Sequence, residues 1–262
     1  MDLGLRGKTA IVTGGSKGIG LAVARELSAE GARVAICARD DALLHTEAQA
    51  IRQATGAEVL PIALDLSRED GPKRLVEQVL RAFGRIDILV NNAGSITGGS
   101  LMEKQEAEWR AQWELKLWGF VRMCREVFPL MLAQKSGRIV NIVGVAAYEP
   151  QYHYIAGNMG NAALIGLTKT LALESGRHGV TVNAVNPGTI RTPRHITNRQ
   201  AQARTTGKTV EQLDAEAAPF FRTGRAGEPR EVAALVAFLA SDRASYINGA
   251  LIPVDGGGTT KP

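Results

Sequence analysis

Thr13-Gly14-Gly15-Ser16-Lys17-Gly18-Ile19-Gly20 is the stretch that decides the fold. It closes an apolar, β-branched run at residues 9–13 and opens a helical pattern at 18–30, where Leu21, Ala24, Arg25 and Ser28 track successive turns and Gly31 supplies the stop. A glycine motif in that context has a physical use. Gly14 permits a tight turn, Gly18 lets the backbone approach a pyrophosphate, and Gly20 lets helix and strand pack closely. The helix N-terminus adds free N–H groups and a partial positive charge. Gly14, Ser16, Lys17, Gly18, Ile19 and Gly20 are therefore candidate dinucleotide-binding residues.

Outward from this turn the same alternation runs to the end of the chain. Strands are expected at 33–38, 58–64, 86–90, 138–143, 181–185 and 251–254. Between them, helices are expected at 41–54, 67–83, about 105–134, after Pro150, and at 229–240; Ser67 and Asp70 resemble a capping box for the third. Strands alternating with helices predict an α/β protein: a doubly wound parallel sheet of Rossmann type in three layers, one domain over 1–262. The stretch 189–227 breaks the rhythm. It is too long for a simple connection and reads as a substrate lid.

Composition narrows the function classes. Of the 262 residues, 45% are hydrophobic and 22% charged, which excludes a disordered chain. The two cysteines, Cys37 and Cys124, lie in apolar stretches and read as buried free thiols, with no metal site expected. The N-terminal residues lack the apolar core of a signal peptide. The longest apolar run, 232–240, is far short of the ~20 residues a membrane span needs. A cytoplasmic protein without a membrane partner is expected. The net charge is +5, yet no basic block carries interleaved aromatics for base stacking, so nucleic acid is not the expected partner. Residues 191–230 hold eight cations and four acids, hence +4, beside the expected lid. That excess suits an anionic substrate or the phosphates of a cofactor.

A dinucleotide site commonly has Asp or Glu at the end of the second strand to hold the adenosine ribose. Here that end reads Cys37-Ala38-Arg39-Asp40. Arg39 and Lys17 together suit a 2′-phosphate, which favours NADP(H) over NAD(H).

With these residues in place, the whole chain resembles the short-chain dehydrogenase/reductase family. The turn at 13–20 is similar to the family's TGxxxGIG. Asp65-Leu66 resembles the acidic segment that meets adenine, and Asn91-Asn92-Ala93-Gly94 the family's NNAG. Asn186-Pro187-Gly188, with Ile190 and Thr192, resembles the segment closing over nicotinamide. The resemblance implies that Asp65, Leu66, Asn91, Ala93, Gly94, Pro187, Gly188, Ile190 and Thr192 contribute to the cofactor site. It also implies a homo-oligomer, tetramer or dimer; Trp109, Trp113 and Trp118 are compatible with such packing.

The family's catalytic Asn, Ser, Tyr and Lys do not carry over. Matching 138–142 and 162–169 to the family pattern puts Gly144 at the Ser position, Gly157 at the Tyr position and Asn161 at the Lys position. Counting back from Pro129 puts Lys116 at the Asn position. Tyr154 stands three residues before Gly157. In a helix, Tyr154, Gly157, Asn158 and Asn161 would share one face. The expected catalytic pair is therefore a relocated one, Tyr154 as proton donor and Lys116 as the nearby cation, with His153 as an alternative acid–base group. Three helical residues move a backbone by about 4.5 Å, so the local path must compensate. Three functions compete: an NADP(H)-dependent oxidoreductase acting between a carbonyl and an alcohol, an inactive dinucleotide-binding sensor or partner, and a non-redox lyase or isomerase.

Overall fold

A computed structural model of the chain describes residues 2–259; Met1 and residues 260–262 of the expected domain lie outside them. Its centre is a seven-stranded, wholly parallel sheet in the order β3-β2-β1-β4-β5-β6-β7. The strands are β1 (Thr9–Thr13), β2 (Arg33–Ala38), β3 (Val59–Ala63), β4 (Ile88–Asn91), β5 (Gly137–Ile142), β6 (Val180–Pro187) and β7 (Leu251–Val254). Helices α1 (Gly18–Ala29), α2 (Asp41–Thr55), α3 (Gly71–Phe83), α4 (Glu106–Trp113), α5 (Gly119–Gln134), α6 (Ile155–Ser175), α7 (Pro193–Thr206), α8 (Val210–Ala217) and α9 (Pro229–Ala240) complete the layers.

Period-two alternation explains the sandwich. Val12, Ile36, Val90 and Val140 join the core beneath α1, α2 and α9, whereas Ile11, Cys37, Leu89 and Ile139 join the core beneath α3 and α5. The central strands thus bury both faces, as a parallel sheet with helices on both sides requires, whereas the edge strands β3 and β7 are only partly covered. The order reverses between β1 and β4, so a crevice opens at their carboxyl ends.

Three expectations need correction. Helix α3 begins at Gly71, and Asp70 makes no capping bond; the Ser67 hydroxyl instead donates to Asp65 at 2.7 Å. The long helix is continuous but not uniform, because residues Glu114–Trp118 form a π turn between α4 and α5. Tyr154 is not helical: it is the residue before α6, at φ −143° and ψ 38°. Asn158 does not line the cleft with Tyr154 and Asn161, and donates to the Gln151 carbonyl at 2.8 Å. The stretch 189–227 contains α7 and α8, tied at its base by a bridge between Ile190 and Gly227.

Candidate functional site

The crevice is a cleft of about 1130 Å³ running over the carboxyl ends of the strands. Gly14, Ser16, Lys17, Gly18 and Ile19 form its floor at one end. Gly14 takes φ +69°, and a side chain there would press on the Asn92 amide. Lys17 precedes α1 without giving a side-chain cap, so the first N–H groups of that helix remain available to a ligand. Arg39, exposed, and Asp65 line the same end. Burial works against the Asp65 carboxylate, but bonds from the Ser67 hydroxyl and N–H, with Arg39 nearby, hold it below the usual range. Asp40 is occupied as the cap of α2, accepting from Leu43 N–H at 3.1 Å.

Leu66, Ala93, Gly94, Pro187, Gly188, Ile190 and Thr192 also line the cleft. Asn91 and Gly20 do not. Asn91 is the last residue of β4 and points into the sheet, fully buried, donating to Asn141 at 3.0 Å. Its neighbour Asn92 is the one that faces the cleft, binding the Thr13 carbonyl at 2.9 Å. Gly20 acts by close packing: a Cβ there would lie 2.2 Å from the Gly14 carbonyl oxygen.

At the other end the cleft brings together Gly144, Lys116, Tyr154 and Asn161. Lys116 is the one buried residue of the π turn, so the local widening of the helix carries its side chain inward over Gly94. Its Nζ donates to the carbonyls of Ile142 (2.7 Å) and Val143 (3.3 Å) and lies 4.8 Å from the Phe120 ring centre. Burial, reinforced by the charge of Arg194, lowers its pKa from 10.5 to about 7.

The Tyr154 ring lies over Gly157. A Cβ on Gly157 would fall 1.9 Å from its Cε1, so the ring fills the space in which a side chain at 157 would begin. Burial pushes the Tyr154 phenol up, and Arg194 pulls it partly back. A Cβ on Gly144, which takes φ +124°, would lie 3.1 Å from the Asn161 amide nitrogen. The Oδ1 of Asn161 is buried without a partner among the described residues. His153 is elsewhere: it is exposed and paired with Glu103 at 3.2 Å.

The profile of the enoyl-(acyl carrier protein) reductase family matches residues 14–259, nearly the whole chain. The chain belongs to the short-chain dehydrogenase/reductase family. Among its relatives in the family, 3-oxoacyl-(acyl-carrier-protein) reductase from Thermotoga maritima is 36% identical, over 97% of this chain and 98% of the relative. The enzyme of the same name from Vibrio cholerae is 37% identical, over 97% and 98%. The solved L-sorbose reductase of Gluconobacter frateurii, complexed with NADPH and L-sorbose, is 35% identical and superposes over 100% of both chains with a TM-score of 0.96. Like these relatives, the chain is an oxidoreductase of this family. No helix among the described residues is long and apolar enough to cross a membrane.

Sequence reasoning singled out neither Asn92, Arg194 nor His195, all of which line the cleft. For Asn92 the signal was strand alternation, since Asn91 ends β4 pointing inward. For Arg194 it was the charge excess of 191–230, which gives no hint of which cation faces the cleft.

Proposed function

We propose that the protein is an NADP(H)-dependent oxidoreductase acting between a carbonyl and an alcohol, with its proton-transfer group moved from position 157 to Tyr154. The observation that carries this reading is the Tyr154 ring seated over Gly157, in the same cleft as the buried Lys116. The non-helical path at Tyr154 is the kind of local departure that a three-residue offset calls for, and it supports this reading.

The cleft fits a nicotinamide dinucleotide. Gly18, at φ +61°, offers bare backbone to it, and the first N–H groups of α1 lie at the same place. Bound there, that group supplies or accepts the hydride. Arg39 and Lys17 flank the turn and suit the 2′-phosphate of NADP(H). Asn161, with its orphaned Oδ1, is suited to accept from a ribose hydroxyl near Gly144.

The phenol of Tyr154 keeps its proton at neutral pH, because burial raises its pKa. It is thus competent to donate to a carbonyl oxygen as an alkoxide develops there. The positive charge of Arg194 offsets part of the burial cost of the tyrosinate left behind. Lys116 is held by the two carbonyls at the end of β5, which fixes its amine against the reacting region. The segment 189–227 acts as the substrate lid, and the exposed Trp118, at the end of the turn that holds Lys116, is compatible with assembly as a homo-oligomer.

The test is NADPH consumption with a panel of ketones, ketoses and β-ketoacyl thioesters. Turnover that drops at least about 100-fold in Tyr154→Phe, the scale of a lost proton donor, supports the reading. Full activity in both Tyr154→Phe and Lys116→Ala overturns the relocated pair. Tight NADPH binding with no turnover of any carbonyl favours a binding protein instead.

A further inference from the structure

The segment 189–227 carries most of the chain's surplus positive charge, but nearly all of the ion-paired part is turned away from the cleft. Arg191 and Arg199 are tied to Asp214, Lys208 to Glu216 and Arg225 to Glu231. Arg194 is different. It has no carboxylate partner among the described residues and it lines the cleft. Its Nη2 crosses to the opposite wall and donates to the carbonyl of Ile96, in the loop after β4. Among the described residues no other bond holds that guanidinium, whose fork carries five N–H donors.

The placement runs against helix electrostatics. Arg194 sits in the first turn of α7, which holds no acidic residue, so its charge adds to the positive end of the helix dipole. Lys116, nine-tenths buried, approaches from the β5 side with two of its three possible donors already used on backbone carbonyls. The carboxylate of Asp255 is spent on Thr259 and the Gly257 N–H; Glu149 also lines the cleft, yet among the described residues the charge that acts on both Lys116 and Tyr154 is Arg194. The Arg194 guanidinium, the buried Lys116 amine and a phenol alongside form a site suited to an anion that enters with the reacting carbonyl.

We propose that the substrate is an oxo acid, a carbonyl compound bearing a free carboxylate, and that Arg194 is the specificity-determining residue that holds this carboxylate across the cleft from Lys116. The planar fork of arginine matches the two oxygens of a carboxylate, and the single remaining donor of Lys116 adds one more bond. This inference rests on the reductase reading above and sharpens its substrate class. It separates the chain from a reductase of neutral ketoses or of thioesters, in which no free carboxylate accompanies the carbonyl.

The test uses matched pairs: 2-oxohexanoate and 3-oxohexanoate, each beside its methyl ester, with NADPH and the full-length protein. One of the acids is expected to exceed its ester in kcat/KM by about 10–100-fold, the scale of a charge-assisted bond to a carboxylate. Arg194→Gln is expected to bring the acid-to-ester ratio of kcat/KM down to about 1, whatever rate the ester itself retains, and Arg194→Lys is expected to restore part of the ratio. Equal kcat/KM for acid and ester in the unsubstituted protein, or equal losses on both in Arg194→Gln, overturns the proposal. If no compound is reduced, calorimetric titration with the same acids decides it: binding that disappears in Arg194→Gln upholds the carboxylate site though the reductase reading falls, and absence of binding overturns both.

Discussion

Replacing Lys116 by methionine removes a buried amine and keeps most of its volume. In the unfolded chain an ordinary lysine holds its proton to about pH 10. In the folded protein burial and Arg194 bring that value to about 7. Between the two values the unfolded chain binds one more proton than the native one, so the Lys116 contribution rises with pH by about 1.36 kcal/mol per unit. Its penalty is greatest below pH 7 and is relieved as the pH approaches 10. From pH 7.5 to 9.5 the stability of the original protein should therefore gain about 3 kcal/mol relative to Lys116→Met. With a urea slope of about 3 kcal/mol/M, that is a relative shift of about 1 M in the unfolding midpoint. The assay is equilibrium urea unfolding of both proteins at equal concentration, followed by tryptophan fluorescence across this range. All other titrating groups are shared and drop out of the difference. Two parallel stability profiles would refute the burial argument, whatever their absolute values. The carbonyls of Ile142 and Val143 that lose their donor shift the curves by a constant and leave the slope difference intact.

Other substitutions probe the rest of the cleft. Gly157→Ala places a Cβ where the Tyr154 ring lies, so turnover should fall by about 100-fold while NADPH affinity by fluorescence titration stays within about twofold. Arg39→Ala should raise KM for NADPH by about 10–100-fold and leave KM for NADH nearly unchanged, measured in the same turnover assay. Asn91→Ala should cost about 1–3 kcal/mol of stability in urea, because the Asn141 carboxamide loses its buried partner, with little change in cofactor affinity.

The fold was legible because the central strands are buried on both faces and so read as apolar runs, and because the turn at Gly14–Gly20 stands between one such run and a helix. The boundaries that failed did so for local reasons. Ser67 spends its hydroxyl on Asp65, so α3 waits for Gly71. The burial of Lys116 could be read from its neighbours Leu115 and Leu117, but the π turn that aims it inward could not, because no residue type marks a widened turn. The seat of Tyr154 over Gly157 depends on one backbone conformation at the start of α6. The contact from Arg194 to Ile96 joins residues 98 apart in the chain, beyond the reach of any periodic pattern.

Tyr154 is also stitched into the loop after β4. The N–H of Gly99 donates to the His153 carbonyl at 2.6 Å, and the Ile155 N–H returns to the Gly99 carbonyl at 3.3 Å. The residues on either side of the phenol are thus clamped to a single glycine in a loop whose near end, Gly94 and Ser95, lines the cleft. A change in that loop that admits a differently shaped molecule also moves the phenol. With Tyr154 proposed as the proton donor, a substitution in residues 95–104 that alters selectivity is expected to alter the rate with it.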